Sequence, residues 1–186
     1  THNIYNSLAA IATCYQLGCP MSGIKQGLSK FIGTHRRFEQ KGIYNGVKII
    51  DDYAHHPSEI KATLKAAKNG HPVKIWCIFQ PHTYTRTKSL LNDFALSFTN
   101  ADVVIVADIY AAREQDNGEI NSQILVEKIN STGGNAIYMN DFNDIASYLR
   151  DNAAPGDIVI TMGAGDIYKV GDEMLKGNQA KEKAFV

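Results

Sequence analysis

The sequence lacks several features that would assign a function at once. Its 186 residues contain no G-x-x-x-x-G-K-[ST] phosphate loop, and 19 Lys+Arg balance 19 Asp+Glu, so the formal net charge is zero. Nucleic-acid binding depends on clustered positive charge, which a neutral chain of this kind does not favour. Any anionic ligand must therefore be bound by a local site rather than attracted by the overall charge.

Long apolar runs and paired cysteines are also missing. No run approaches the roughly 20 residues that a membrane-spanning helix needs, and residues 103–107 have only the length of a buried strand. The 3 cysteines include no C-x-x-C pair, so neither a disulfide framework nor a zinc site is indicated, and a reducing cytoplasm fits best. The chain starts at Thr1 without a signal core, and we expect a piece of a longer protein.

The hydrophobic pattern predicts an α/β fold. Two amphipathic helices come first, the second with Ile24, Leu28 and Phe31 on one face, and Asn45-Gly46 then predicts a hairpin over residues 38–51. Strands and helices alternate afterwards, including one helix expected to span residues 91–98. Alternation of this kind means parallel strands with helical crossovers. We expect a Rossmann-like, mostly parallel sheet with flanking helices, preceded by two helices that have no sheet of their own.

Polar and charged side chains follow the predicted strands. The runs are DDYAHHP at residues 51–57, QPHTYTRTK at residues 80–88, DIYAARE at residues 108–114 and GAGD at residues 163–166. Because the carboxyl ends of parallel strands meet at one edge of a sheet, we expect these segments to line one crevice. Cations, imidazoles and carboxylates together suit an anionic ligand plus an amine or a carboxylate.

Taken singly, each feature has a simpler interpretation. The two histidines are typical of helix caps, and they lack the i, i+4 spacing that favours a metal site. The glycine pair is a weak dinucleotide signal, because Tyr168 stands where a third glycine would fall. Arg36 and Arg37 alone would be typical of a solvated pair at a domain junction. It is the convergence of these features that indicates a site.

Several motifs together resemble the Mur ligase family of bacterial peptidoglycan synthesis. They are THNIYNSLAA, RRFEQKG, DDYAHHPSEIKATL, FQPHTYTRTKSLLNDFA, DIYAARE and MGAGDIYKVG, and they fall in order over almost the whole chain. The resemblance implies an ATP-dependent, amide-forming ligase. In the branch that the motifs match, ATP with Mg²⁺ phosphorylates the lactyl carboxylate of UDP-N-acetylmuramate, and the amine of L-alanine then attacks the acyl phosphate.

The resemblance also implies a domain organisation. Residues 1–36 would be the last helices of the central ATP-binding domain, and residues 37–186 the C-terminal Rossmann-like domain. The UDP-sugar domain and the phosphate loop would lie outside this chain, which would be inactive alone. Two alternatives stay open: a free-standing nucleotide- or amino-acid-binding module, and the related ligase for recycled murein tripeptide. The tripeptide ligase shares the DD-aromatic-A-HHP motif but lacks FQPHTYTRT in this form.

The matching positions imply a nucleotide-binding set. His2, Asn3 and Asn6 resemble the element that contacts adenine, and amide side chains suit it because they both donate and accept hydrogen bonds. Arg37 resembles a phosphate-contacting arginine, whose planar fork matches phosphate oxygens, and Asp52 resembles the acid on the ribose side. The resemblance places the Mg²⁺ ligands mainly outside this chain, and we predict no metal ligand within it.

A second set is implied for the amino-acid substrate. It consists of Tyr53, His55, His56, His82 and Arg86, with Arg86 as the clamp for a carboxylate. The residues expected to take part in catalysis are Arg37, Asp52, His55 and Arg86. Many family members carry a second basic residue where this chain has Thr83, and we assign Thr83 no role.

Overall fold

The chain divides into two compact units. The computed structural model describes residues 2–31 and 33–182, with side chains described within residues 4–31 and 33–176. The units are Thr1–Thr34 and His35–Val186. The expected boundary, between residues 36 and 37, falls just inside the second unit. Among the described residues, no helix is long and apolar enough to cross a bilayer.

The first unit is a pair of helices, α1 (His2–Gln16) and α2 (Met21–Lys30). Gly18 has a φ of 80°, and its N–H donates to Tyr15 O where α1 ends. The prediction that Phe31 continues the second helix is wrong, because Phe31 is extended and α2 ends at Lys30. Apolar side chains stay exposed along both helices, among them Ile4, Leu8, Tyr15 and Leu28.

The second unit is built on a six-stranded, mostly parallel sheet, which confirms the predicted fold class. An antiparallel hairpin of β1 (Glu39–Tyr44) and β2 (Val47–Asp52) opens it, and both turn residues, Asn45 and Gly46, have positive φ as a tight hairpin turn requires. The other strands are β3 (Ile75–Phe79), β4 (Val103–Val106), β5 (Ala136–Tyr138) and β6 (Ile158–Met162). Their order is β1-β2-β6-β3-β4-β5, and β6 pairs in parallel with both β2 and β3.

Helices connect the parallel strands. They are α3 (Pro57–Lys68), α4 (Tyr84–Ser89), α5 (Leu91–Ala95), α6 (Ser122–Ser131), α7 (Phe142–Asn152) and α8 (Tyr168–Glu182). The single helix predicted over residues 91–98 is wrong. Helix α5 ends at Ala95, because Leu96, with φ −90° and ψ 8°, leaves the helical region, and Phe98 therefore lies beyond the helix. Phe98 still packs on Phe79, with ring centroids 5.2 Å apart.

Successive strand residues enter opposite faces of the sheet, so the core has two halves. Ile50 and Phe79 pack on one face with α3, α5 and α6, while Ile49 and Ile78 pack on the other with α7 and α8. All four side chains are buried. Burial on both faces explains why these strands are continuously apolar rather than alternating. The carboxyl ends of β2, β6, β3 and β4 lie at one edge, which we call the site edge.

Candidate active site

Arg36 forms a buried ion pair at the end of β2. Its Nε donates to Asp51 Oδ2 at 2.8 Å, and Asp51 is 1% exposed. The other Asp51 oxygen accepts from the Thr161 hydroxyl at 2.7 Å. Because a buried carboxylate is costly unless it is paired, Arg36 and Asp51 depend on each other. The interpretation of Arg36 as part of a solvated pair is therefore wrong.

The Arg36 guanidinium also connects β2 to the loop after β6. Nη1 donates to Gly165 O at 3.0 Å and Nη2 donates to Gly163 O at 2.7 Å. Its central carbon lies 5.0 Å from the ring centroid of Tyr53 and 4.9 Å from that of Tyr168.

Asp52 fastens the segment before β1 to the segment after β2. Its Oδ2 accepts from Phe38 N–H and its Oδ1 from Ala54 N–H, both at 2.8 Å. Burial raises the pKa of Asp52, and these N–H donors and the charge of the exposed Arg37 oppose that rise without cancelling it. A hydrogen bond from the Thr63 side chain to the same carboxylate also opposes the rise in its pKa.

His55 and His56 differ in their surroundings although they are adjacent. Nδ1 of His55 lies 2.9 Å from Tyr53 O, and its ring meets the Tyr53 ring edge-on at 5.4 Å. His56 is the N-cap of α3, with Ser58 N–H donating to its Nδ1, and Glu59 accepts from the His56 N–H to complete a capping box. His55 thus faces the site edge, while the described contacts of His56 are those of a cap.

The segment after β3 brings His82 and Arg86 to the same edge. The His82 ring stacks on Tyr110 at 5.5 Å and lies 6.0 Å from the His55 ring. Within the described part of the chain, His82 Nδ1 and Arg86 Nη1 are buried without a hydrogen-bond partner. Burial lowers the pKa of His82, and the neighbouring Arg86 and His55 act in the same direction. Two buried, unpartnered polar atoms of this kind on one segment favour a ligand that pairs with them.

Glu114 holds the start of α4 against the loop after β4. Its carboxylate accepts from Thr85 N–H at 2.9 Å and also from the Thr85 hydroxyl. Thr83 N–H donates to Tyr110 O at 2.9 Å, and Thr83 itself has a φ of 68°. A β-branched residue with positive φ is strained, and such strain persists where surrounding contacts fix the backbone. Glu114 and Tyr110 belong to the DIYAARE motif but are not among the predicted site residues.

The loop after β6 closes tightly onto the end of β3. Gln80 Nε2 donates to Asp166 Oδ1 at 3.2 Å, and Asp166 N–H donates to Gln80 Oε1 at 3.0 Å. A Cβ on Gly165 would lie 2.3 Å from Gln80 Oε1 and 2.8 Å from Tyr110 Cδ2. Close packing, rather than a dinucleotide loop, is what this glycine serves here.

Most of the predicted site residues lie in the second unit. They are Arg37, Asp52, Tyr53, His55, His56, His82 and Arg86. The adenine-contacting set belongs to the first unit. There, Asn6 is exposed on α1, while the side chains of His2 and Asn3 lie outside the described residues. The adenine contacts stay a prediction.

An open parallel sheet with cationic and imidazole side chains at its carboxyl edge defines an α/β domain of the class that binds polar ligands at its strand ends. A sequence model described as "Mur ligase, glutamate ligase domain" matches residues 36–165. The chain belongs to the Mur ligase family.

Individual relatives agree with this assignment. The UDP-N-acetylmuramate–L-alanine ligase of Acetivibrio thermocellus is 61% identical over 178 residues, which cover 96% of this chain and 38% of that protein. The crystal structure of the UDP-N-acetylmuramate–alanine ligase of Thermotoga maritima has a TM-score of 0.79 at 28% identity, covering 97% of this chain and 38% of that one. A murein peptide ligase of Psychrobacter arcticus has a TM-score of 0.68 at 28% identity, covering 94% and 36%. The chain thus spans about 38% of the length of the first of these relatives.

Proposed function

We propose that this chain is the C-terminal part of an ATP-dependent ligase that joins L-alanine to UDP-N-acetylmuramate in the bacterial cytoplasm. The name of the relative with 61% identity supports the substrates. The observation that carries the proposal is the pair of buried, unpartnered polar atoms on His82 and Arg86, beside His55. A small amino acid carries a carboxylate that can pair with Arg86 and an amine that can donate to an imidazole.

In this proposal Arg86 binds the carboxylate of L-alanine, because a guanidinium pairs with a carboxylate in a fixed, planar geometry. His82 supplies a second hydrogen bond from the unpartnered Nδ1. His82 stays neutral near pH 7, since its pKa is lowered, so it adds no second full charge at the clamp. Tyr53 and His55 then border the amine, with their rings 5.4 Å apart.

The proposed chemistry has two steps. A carboxylate oxygen of UDP-N-acetylmuramate attacks the γ-phosphorus of ATP, and the bond to the ADP oxygen breaks. The alanine nitrogen then attacks the acyl carbon, the C–O bond to phosphate breaks, and the nitrogen loses a proton. His55 accepts that proton through Nε2, because Nδ1 lies 2.9 Å from Tyr53 O.

ATP is a substrate of this reaction, and Arg37 is the residue proposed to contact its phosphates. Arg37 is exposed, and its positive charge acts on both Asp52 and Glu59. Asp52 is proposed to accept from a ribose hydroxyl. Among the described residues, no three His, Cys, Asp or Glu side chains cluster to hold a metal ion. The proposal follows the family resemblance in assigning the Mg²⁺ ligands mainly to polypeptide outside this chain.

The test uses the longer polypeptide that contains this chain together with its phosphate loop. Phosphate release should depend on L-alanine, ATP and UDP-N-acetylmuramate together. Arg86→Lys should raise the KM for L-alanine by about 10- to 100-fold, since the planar clamp is lost. Arg150, on α7 and away from the site edge, is the matched control when changed to Lys and should leave the KM for L-alanine unchanged.

Other results would point to the alternative functions. A preference for murein tripeptide over L-alanine would identify the tripeptide-recycling ligase, to which the Psychrobacter arcticus structure is a relative. Tight calorimetric binding of ATP or L-alanine by the 186-residue chain alone would favour a binding module, because half of a composite site should bind weakly. An unchanged KM for L-alanine in Arg86→Lys would contradict the proposed role of Arg86 as the carboxylate clamp.

A further inference from the structure

Arg36 and Arg37 are adjacent in sequence but differ in almost every structural respect. The Arg36 side chain is 14% exposed and bonded at Nε, Nη1 and Nη2, whereas Arg37 lies at the surface. We propose that Arg36 is a positioning residue: its guanidinium fixes Tyr53 and the loop after β6 in the geometry that amino-acid binding requires. The inference rests on the proposed function for its kinetic part only.

Several segments of the second unit meet at the Arg36 guanidinium. One planar group contacts Asp51 on β2, the carbonyls of Gly163 and Gly165 after β6, and the Tyr168 ring at the start of α8. These hydrogen bonds measure 2.7–3.0 Å. An ammonium group on a flexible stem lacks this fork geometry, so lysine cannot replace all three bonds at once.

Arg36 also contacts Tyr53 directly. The guanidinium carbon lies 5.0 Å from the Tyr53 ring centroid, and the backbone oxygen of Arg36 accepts from Tyr53 N–H at 2.7 Å. Tyr53 is 39% exposed, so the rest of the protein restrains its ring only in part. Its other ring contact is His55, at 5.4 Å. A displacement of Arg36 should therefore pass through Tyr53 to His55.

The backbone of Arg36 is itself unusual, with a φ of 56°. A residue other than glycine adopts this conformation at a cost, and here neighbouring bonds hold it. Arg36 N–H donates to Glu39 Oε2 at 2.7 Å, in addition to the bond from Tyr53 N–H to Arg36 O. The left-handed turn lets one arginine enter the protein while the next stays at the surface.

The kinetic test compares Arg36→Lys with Arg150→Lys in the longer polypeptide. Arg150 is a suitable control because its Nη2 also donates to a backbone oxygen, that of Glu173, but between α7 and α8 rather than at the site edge. We expect Arg36→Lys to raise the KM for L-alanine about 10- to 100-fold while the KM for ATP changes little. Arg150→Lys should lower stability and leave both KM values unchanged. Parental alanine kinetics in Arg36→Lys would overturn the inference.

The second test needs no activity and uses the 186-residue chain. Nuclear magnetic resonance should show displaced Tyr53 ring and His55 imidazole signals in Arg36→Lys. Tyr168→Leu, which removes only one ring from the guanidinium, should cause smaller changes at the same signals, and it serves if Arg36→Lys does not fold. Unchanged Tyr53 and His55 signals in both variants would overturn the inference. A parent polypeptide without ligase activity would instead overturn the proposed function and leave this test valid.

Discussion

A single methyl group added at Gly165 should destabilise the second unit measurably. The new Cβ would lie 2.3 Å from Gln80 Oε1 and 2.8 and 2.9 Å from two Tyr110 ring carbons, closer than such atoms pack. Gln80 is 5% exposed and has little room to move. Either the Gln80 side chain rotates away, or the Tyr110 ring leaves its stacked position on His82.

The size of the effect follows from these two outcomes. Rotation of Gln80 breaks two hydrogen bonds to Asp166, each of which contributes about 1 kcal/mol. Displacement of Tyr110 gives up a ring stack that is worth about 0.5–1.5 kcal/mol. We therefore expect Gly165→Ala to lower the free energy of unfolding by about 0.5–2 kcal/mol, the range that the two outcomes span. Displacement of Tyr110 should also weaken L-alanine binding in the longer polypeptide, because the Tyr110 ring stacks on His82.

The assay is equilibrium unfolding in urea followed by tryptophan fluorescence. The chain has 1 tryptophan, Trp76, which is buried in β3 and therefore reports on the second unit alone. Gly27→Ala is the control, because a Cβ there meets nothing within 4 Å and the residue lies in the first unit. A Gly165→Ala transition that matches that of the parent protein would refute the reasoning, since it would mean that the loop relaxes at no cost.

Substitutions at three histidines can be tested with the same fluorescence signal. His56→Ala should lower the free energy of unfolding by about 1 kcal/mol, because α3 loses its cap, whereas His56→Asn should keep most of that stability. Equal losses in the two variants would contradict the capping role. His71 follows α3 with a φ of 51°, so His71→Gly should raise the free energy of unfolding by about 0.5–1 kcal/mol. A lower free energy of unfolding would show that the His71 side chain stabilises the protein. The pKa of His82 is lowered in the folded protein, so the unfolded state binds the extra proton and stability falls as pH drops through 6.5. His82→Asn should flatten this dependence of stability on pH. A pH profile of stability parallel to that of the parent protein would contradict the prediction.

The sequence predicted those parts of the fold that depend on neighbouring residues. Hydrophobic period and turn chemistry are local, so the hairpin at Asn45-Gly46 and the alternation of strands and helices could be predicted before the structure was known. The insertion of β6 between β2 and β3 could not, because pairing of strands far apart in sequence leaves no local pattern. The end of α5 at Ala95 was also missed, since Phe94 and Phe98 keep helical spacing although the helix has ended.

For the candidate site, the sequence indicated the segments but not the division of labour within them. The family resemblance gave a role to Arg37 and none to Arg36, whose contacts to Gly163 and Gly165 only the structure shows. Those partners are 127 and 129 residues away. Which of His55 and His56 caps α3 likewise became clear only from the structure.

Backbone strain gives an independent indication of where the protein gives up stability for function. Among the described residues, the non-glycine positions with positive φ include Arg36, Phe38, Thr83 and Ala112, all in segments that build the site edge. The remaining two, at a hairpin turn and a helix end, occupy places where such backbone is common. Strained residues persist only when their surroundings fix them. At the site edge the fixing bonds come from Glu39, Asp52 and Tyr110, so the same contacts that carry the strain also hold the proposed ligand-binding side chains in register.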